Sequence, residues 1–176
     1  FSEIGVMGFG NIGLACMKIM LSHFKDIHMK VKLLKYKDHA EKVKDIYKSY
    51  SNVNFEIVET LEELITNSDV VISCITYTDK LLGKNEWFKE GCLVIPVHLR
   101  GFQNCDLFFD KIFGDDKGQV CSFKYFSQFK YFAETSEVLR GEKIGRQSDS
   151  ERILSYNVGM SLHDIFAATK IYEYFR

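Results

Sequence analysis

The sequence predicts an α/β fold: a doubly wound, mostly parallel sheet with a C-terminal amphipathic helix. Three observations carry that expectation. Short apolar runs alternate with segments whose apolar residues recur at helical spacing. The first of these runs opens directly into a glycine-rich turn and then a helix. The 176 residues are 46% hydrophobic, with 15 Phe and 9 Tyr, enough to fill one core of single-domain size.

The elements follow in order. Residues 4–8 (IGVMG) form a short apolar run, as a buried parallel strand requires. Residues 14–24 then carry Leu14, Met17, Ile19, Met20 and Phe24 at helical spacing. A second strand spans 31–36. Asp38 is the expected N-cap of a helix over 39–50, with Ala40, Val43, Ile46 and Tyr47 on one face. Residues 54–58 give a third strand, and Thr60 with Glu63 three positions on is a capping box opening a short helix to about Asn67. Residues 69–75, 93–99 and 111–113 are the fourth, fifth and sixth strands. Beyond Gly118 the pattern changes. Aromatic residues at 123, 125, 126, 129, 131 and 132 predict a helix within 123–139, preceded by a loop. Residues 141–150 are polar and turn-rich, 152–156 form one more strand, and 158–175 form a long amphipathic helix. The sequence shows no internal repeat and no low-complexity tract.

Gly8-Phe9-Gly10-Asn11-Ile12-Gly13 matches GxGxxG between a strand and a helix, inside a strand–helix–strand unit of about thirty residues. Gly8 permits the tight turn, Gly10 lets the backbone approach a pyrophosphate, and Gly13 lets the helix pack on the strand. The helix N-terminus then offers unpaired N–H groups to phosphate oxygens. The segment reads as the phosphate turn of a dinucleotide-binding Rossmann fold; the alternative is a plain glycine turn between strand and helix. The end of the second strand selects the cofactor. A carboxylate there would bind the ribose 2′-hydroxyl, but this sequence reads Lys35-Tyr36-Lys37, with the first acid at Asp38. Two ammonium groups favour a 2′-phosphate and Tyr36 can stack on adenine, so the expectation leans to NADP over NAD. The alternative is that both lysines are solvated.

Composition narrows the partners. A net charge of -1 gives no footing for nucleic acid or an anionic membrane. The longest apolar runs, such as 93–97, fall far short of the ~20 residues of a membrane span. Cys16, Cys74, Cys92, Cys105 and Cys121 are scattered without CxxC spacing, which reads as reduced thiols and no metal site. No charged-then-apolar leader opens the sequence, and the expected location is cytoplasmic. Because the first strand begins at once, the sequence is either a free-standing Rossmann unit or a piece of a longer protein.

The tail carries a more specific signal. Gly145-Arg146-Gln147-Ser148-Asp149, Glu151-Arg152-Ile153, Asn157 to Asp164 (NVGMSLHD) and Ala167 to Glu173 (AATKIYE) resemble the C-terminal motifs of the ornithine cyclodeaminase/mu-crystallin family. Upstream, Ser68-Asp69-Val70-Val71-Ile72-Ser73 resembles that family's fourth strand, and Glu86-Trp87-Phe88-Lys89-Glu90-Gly91 its "eWlkpG" segment. The resemblance spans the whole sequence. It implies an N-terminal substrate and dimerisation domain outside these residues, to which the last helix of the family returns. The organisation expected is therefore a dinucleotide-binding domain over 1–150 and a returning strand and helix over 151–176, within a homodimer.

The resemblance also exposes a departure. The family's cyclodeaminases place an acid/base aspartate shortly past the fifth strand. Matching Asp106-Leu107 to the Glu-Leu that ends the family's segment puts Arg100 at that position. A guanidinium cannot act as a base near neutral pH, which counts against ornithine cyclodeamination. Arg100 and His98 nonetheless follow the fifth strand at the ligand-binding edge of open α/β sheets. Arg100 can clamp a substrate carboxylate and His98 can exchange a proton; the alternatives are a solvated arginine and a structurally bonded histidine. Cys74, Ile75, Thr76, Val97 and Val158 are assigned to the cofactor cleft with the turn residues, and Tyr77 and Lys80 are further candidates. His163-Asp164 lie on a helix and read as packing or partner contacts. The expected function is an NAD(P)-dependent oxidoreductase acting on a small amino or imino acid. The alternatives are a cyclodeaminase-type lyase that recycles its cofactor, and a non-catalytic nucleotide-binding subunit.

Overall fold

The computed structural model describes residues 1–75 and 78–176. In chain order the main elements are β1 (Glu3–Met7), α1 (Asn11–His23), β2 (Met29–Leu34), α2 (His39–Ile46), β3 (Val53–Val58), α3 (Leu61–Ile65), β4 (Val70–Ser73) and β5 (Leu93–Pro96). There follow β6 (Lys111–Gly114), α4 (Lys117–Val120), β7 (Phe132–Glu134), α5 (Thr135–Leu139), β8 (Ile153–Tyr156) and α6 (Ser161–Phe175). The strands make one sheet in the order β3-β2-β1-β4-β5-β8-β6-β7. Every pairing in it is parallel. This is a doubly wound fold whose strand order reverses between β1 and β4, where such sheets bind ligands.

Both faces of the sheet are covered, which explains the near-continuous apolar runs of β1, β2 and β4. On one face Ile4, Val6, Val31 and Leu33 pack with Met17 and Leu21 of α1 and with Ala40 and Val43 of α2. On the other, Met7, Val71, Val94 and Leu154 pack with Leu64 and Ile65 of α3, Phe102, Phe109 and Tyr156. The capping box forms as its residues predict: Thr60 Oγ1 accepts from Glu63 N at 3.2 Å while Glu63 Oε2 accepts from Thr60 N at 3.3 Å. Asp38 stands at the N-cap of α2 without a side-chain capping bond and pairs instead with Lys42 at 2.8 Å. Among the described residues no helix is long and apolar enough to cross a membrane.

Two expectations change. Residues 123–139 do not form one helix. Successive turns join Phe123 N to Val120 O, Phe126 N to Phe123 O and Phe129 N to Phe126 O, and the chain then enters β7 and the short α5. Aromatic side chains three apart suit these tight turns as well as an α-helix. Phe126 meets both Phe129 and Phe132, at 5.3 and 5.2 Å between ring centroids. Hydrogen bonding of β7 to β6 then decides the outcome. The strand at 153–156, grouped from sequence with the last helix, is an interior strand of the sheet between β5 and β6. The helix α6 itself buries none of its residues.

The tail motif acts as a lock at the N-terminal edge of the sheet. Lys111, only 6% exposed at the start of β6, pairs with Glu151 at 3.0 Å and donates to Gly145 O and Gln147 Oε1. Arg146 donates to the carbonyl oxygens of Glu151, Ser148 and Gly91. A buried cation stripped of water requires such complete pairing.

One buried carboxyl is less well served. Asp106, 1% exposed, accepts from the Tyr156 hydroxyl through Oδ1 at 2.6 Å, while its Oδ2 is buried with no hydrogen-bond partner among the described residues. Burial pushes its pKa up to about 7 from an ordinary 3.8. The folded state therefore keeps a proton that the unfolded chain releases near pH 4. The stabilising contribution is complete below the unfolded pKa and is lost as pH rises through the folded one. Between pH 5 and 8 the wild type should lose about 2–3 kcal/mol through this group, and Asp106→Asn should lose that slope. Urea midpoints measured across this range check it; parallel pH profiles for the two proteins would refute it.

Candidate functional site

The site is built at the C-terminal edge of β1, β2, β4 and β5. Gly8 has φ +85°, a backbone state that side chains rarely adopt, and a Cβ there would lie 2.5 Å from the Cys74 carbonyl carbon. A Cβ on Gly13 would lie 2.0 Å from Gly8 O, so α1 comes up against the turn as closely as backbone allows. Gly10 differs: a Cβ there would meet nothing within 4 Å. It faces open space just ahead of α1, whose N-terminus has no side-chain cap and no acid in its first turn. Asn11 and Ile12 are exposed on that first turn. The arrangement presents backbone N–H groups and a positive dipole end to an anion.

Two adjoining cavities follow this edge. The first, about 480 Å³, is lined by the glycine turn, by Leu34, Lys35, Tyr36 and His39 beyond β2, and by Cys74 and Ile75 beyond β4. The second, about 380 Å³, is lined by Ile75, Thr78, Val97, His98, Leu99, Arg100 and Val158. Ile75 borders both. The structure thus gathers Gly8, Gly10, Lys35, Tyr36, Cys74 and Ile75 around one opening, and Val97, His98, Arg100 and Val158 around the next. Of the remaining sequence candidates, Thr76 and Tyr77 lie outside the described residues. Lys80 is exposed in a local turn with Thr78, and His163 and Asp164 are exposed on α6.

The second strand's end is less basic than its sequence reads. Lys35 Nζ pairs with Glu59 Oε1 at 2.7 Å, so its ammonium is already partnered by a carboxylate beyond β3. Lys37, in a left-handed backbone state at φ 52°, places Nζ 5.4 Å from the centroid of the Tyr36 ring. Tyr36 in turn meets His39 edge-on at 5.5 Å. Of the two lysines read from sequence, Lys35 lines the first cavity but is paired with Glu59, and Lys37 borders neither cavity.

His98 is held at both ring nitrogens. Nδ1 accepts the Arg100 backbone N–H at 3.3 Å, and Nε2 lies 2.6 Å from Ser73 Oγ at the end of β4. Because Nδ1 accepts, the ring proton sits on Nε2 and is donated to Ser73. Burial lowers the His98 pKa, so the ring is neutral near pH 7. Val158 is placed by Asp115, whose Oδ2 accepts from Val158 N at 2.8 Å and from Gly159 N at 2.6 Å. The Cys74 thiol is pushed up to about 12 by burial and stays protonated as an apolar wall of the first cavity. Sequence reasoning missed Ser73, Asp115, Glu59 and His39. Ser73 and Glu59 carry a usable signal, since each stands at or just past the end of a strand at the sheet edge that carries the glycine turn.

Comparison with known proteins agrees with this architecture. The curated relatives include the nodulation efficiency protein NfeD of Rhizobium meliloti, 29% identical over 123 residues, which cover 66% of this chain and 38% of that protein. N-((2S)-2-amino-2-carboxyethyl)-L-glutamate dehydrogenase of Staphylococcus aureus is 27% identical over 189 aligned positions, covering 98% of this chain and 55% of that protein. The chain thus spans roughly two-fifths to a little over half of the length of these relatives. Among solved structures, Δ1-pyrroline-2-carboxylate reductase of Thermococcus litoralis, in complex with NADH and L-proline, superposes with a TM-score of 0.80 at 20% identity. That match covers 98% of this chain and 57% of the reductase, and establishes a shared fold. The profile of the ornithine cyclodeaminase/mu-crystallin family matches residues 2–176, and the chain belongs to that family.

Proposed function

We propose that the chain is the nicotinamide-dinucleotide-binding part of an oxidoreductase acting on a small amino or imino acid. The observation that carries this reading is the open cradle at Gly10, directly ahead of α1 and joined through Ile75 to a second cavity bordered by Arg100. A curated relative named as a dehydrogenase of an amino acid derivative, and a reductase that shares the fold, support it. The bound dinucleotide would supply or accept the hydride. The chain's own residues do the rest. The N–H groups around Gly10, Asn11, Ile12 and Gly13 hold the pyrophosphate, and Tyr36 stacks on the adenine. Ile75, Val97 and Val158 wall the nicotinamide side. For the choice between NAD and NADP, Lys37 supports the phosphorylated form and the Lys35–Glu59 pair supports the other.

Arg100, exposed at the rim of the second cavity, is the group we assign to a substrate carboxylate. His98 serves there as a neutral, oriented wall, since proton exchange would first have to break its bond to Ser73. Arg100 at the family's acid/base position disfavours the cyclodeaminase alternative, because a guanidinium does not accept a proton near neutral pH. The apolar residues exposed along α6, among them Leu162, Ile165 and Phe166, support a homodimeric protein.

Absorbance of the reduced cofactor distinguishes the reactions. Net oxidation of NADH or NADPH in the presence of imino acids supports the oxidoreductase, whereas ammonia release from ornithine without cofactor turnover would replace it by the lyase. Gly10→Val should weaken dinucleotide binding by more than ~100-fold, since its side chain fills the pyrophosphate position. It should leave the fold intact because no protein atom lies in the way. Unchanged affinity by calorimetry would overturn the cradle. Arg100→Ala in the full-length protein should raise the substrate KM by about 10- to 100-fold and leave dinucleotide affinity nearly constant. An unchanged KM would remove Arg100 from the substrate site.

A further inference from the structure

The cofactor-selecting acid of a dinucleotide site ordinarily stands at the end of β2. Here that end carries Lys35, Tyr36 and Lys37, and the nearest following acid, Asp38, is tied to Lys42. A carboxylate outside this cavity's lining comes up to Lys35 from the neighbouring strand. Leu34 of β2 and Val58 of β3 are register partners, and Lys35 N donates to Val58 O at 2.8 Å. Lys35 and Glu59 therefore leave adjacent strand ends side by side, and their side chains pair at 2.7 Å. Glu63 receives the Glu59 and Thr60 backbone N–H groups, which holds the Glu59 backbone in place at the top of α3. Lys35 itself lines the first cavity beside Gly8, Gly10 and Tyr36.

We propose that Glu59 is the specificity-determining residue for the adenosine ribose, doing from β3 what an acid at the end of β2 ordinarily does. The proposal rests on the nicotinamide reading above. A 2′-phosphate brought to Lys35 would enter beside an ionised carboxylate and would have to share the ammonium with it. A free 2′-hydroxyl meets no such repulsion and can donate a hydrogen bond to Glu59. The structure thus favours NADH over NADPH despite two lysines in the turn, and the preference is set by one exposed side chain on a neighbouring strand.

Fluorescence titration of the purified protein with NADH and with NADPH tests this. The wild type should bind NADH at least as tightly as NADPH. Glu59→Gln should tighten NADPH binding by about 5- to 10-fold relative to NADH, the range of a rim charge beside a phosphate. The double variant Lys35→Ala/Glu59→Gln should lose that gain, because the freed ammonium is what the phosphate uses. Glu59 is exposed, so thermal melting should be unchanged in the single variant. A wild type that prefers NADPH would overturn the proposal. So would a Glu59→Gln protein with an unaltered ratio of the two affinities. Failure of the wild type to bind either dinucleotide would overturn the nicotinamide reading itself, an outcome distinct from an unmoved ratio.

Discussion

A side chain at residue 13 would put its β-carbon 2.0 Å from the Gly8 carbonyl oxygen, and one at residue 8 would put its own 2.5 Å from the carbonyl carbon of Cys74. The rest of the candidate site depends on this close approach of three backbone segments. It seats the N-terminus of α1 against the ends of β1 and β4, at the point where the strand order turns back. The uncapped N-terminus of α1 is thereby held at the sheet edge. Gly10 stands apart from the other two glycines. Among the described residues its missing side chain relieves no contact, and it leaves open space ahead of α1.

The second half of the site depends on a strand brought in from the far end of the sequence. β8 enters between β5 and β6, and its continuation through Asn157 and Val158 crosses the open edge beside Val97. Asp115, just past β6, holds that crossing by two backbone N–H groups, and Asn157 N donates to Pro96 O at 2.9 Å. The wall of the second cavity is therefore fixed from both neighbouring strands. His98 is fixed in the same manner, by Ser73 of one strand end and by its own loop. Val97, Leu99 and Val158 give the second cavity apolar walls, with the neutral His98 ring and the exposed Arg100 among its lining residues.

The residues that most clearly mark the family do a different job from the residues that form the site. Arg146, Glu151 and the turn at Gly145 close around Lys111 at the start of β6. That end of the sheet is opposite to the glycine turn. The cluster ties the 141–151 segment to β5, β6 and β8 together, and so fixes the interior position of β8. The residues of this tail segment thus serve assembly of the sheet, at the edge opposite to the two cavities.

Much of the fold was legible in the residues because it follows from local chemistry. The strand–turn–helix unit at Gly8 to Gly13 and the reciprocal capping at Thr60 and Glu63 each depend on residues within one or two turns of chain. The apolar runs of β1, β2 and β4 report their burial directly. Residues 123–139 were misread because aromatic spacing of three fits both a helix and a chain of tight turns, and pairing of Phe132–Glu134 with β6 chose between them. The ionic partner of Lys35 is beyond local spacing for a related reason. Lys35 and Glu59 are twenty-four positions apart and meet only because β2 and β3 pair in a particular register. The sequence by itself determined the sheet type, the glycine cradle and the residues that border it. Tertiary structure alone decided which of those residues keep their charge and protons for a ligand, because ionic and hydrogen-bond partners come from neighbouring strands whose register local spacing does not record.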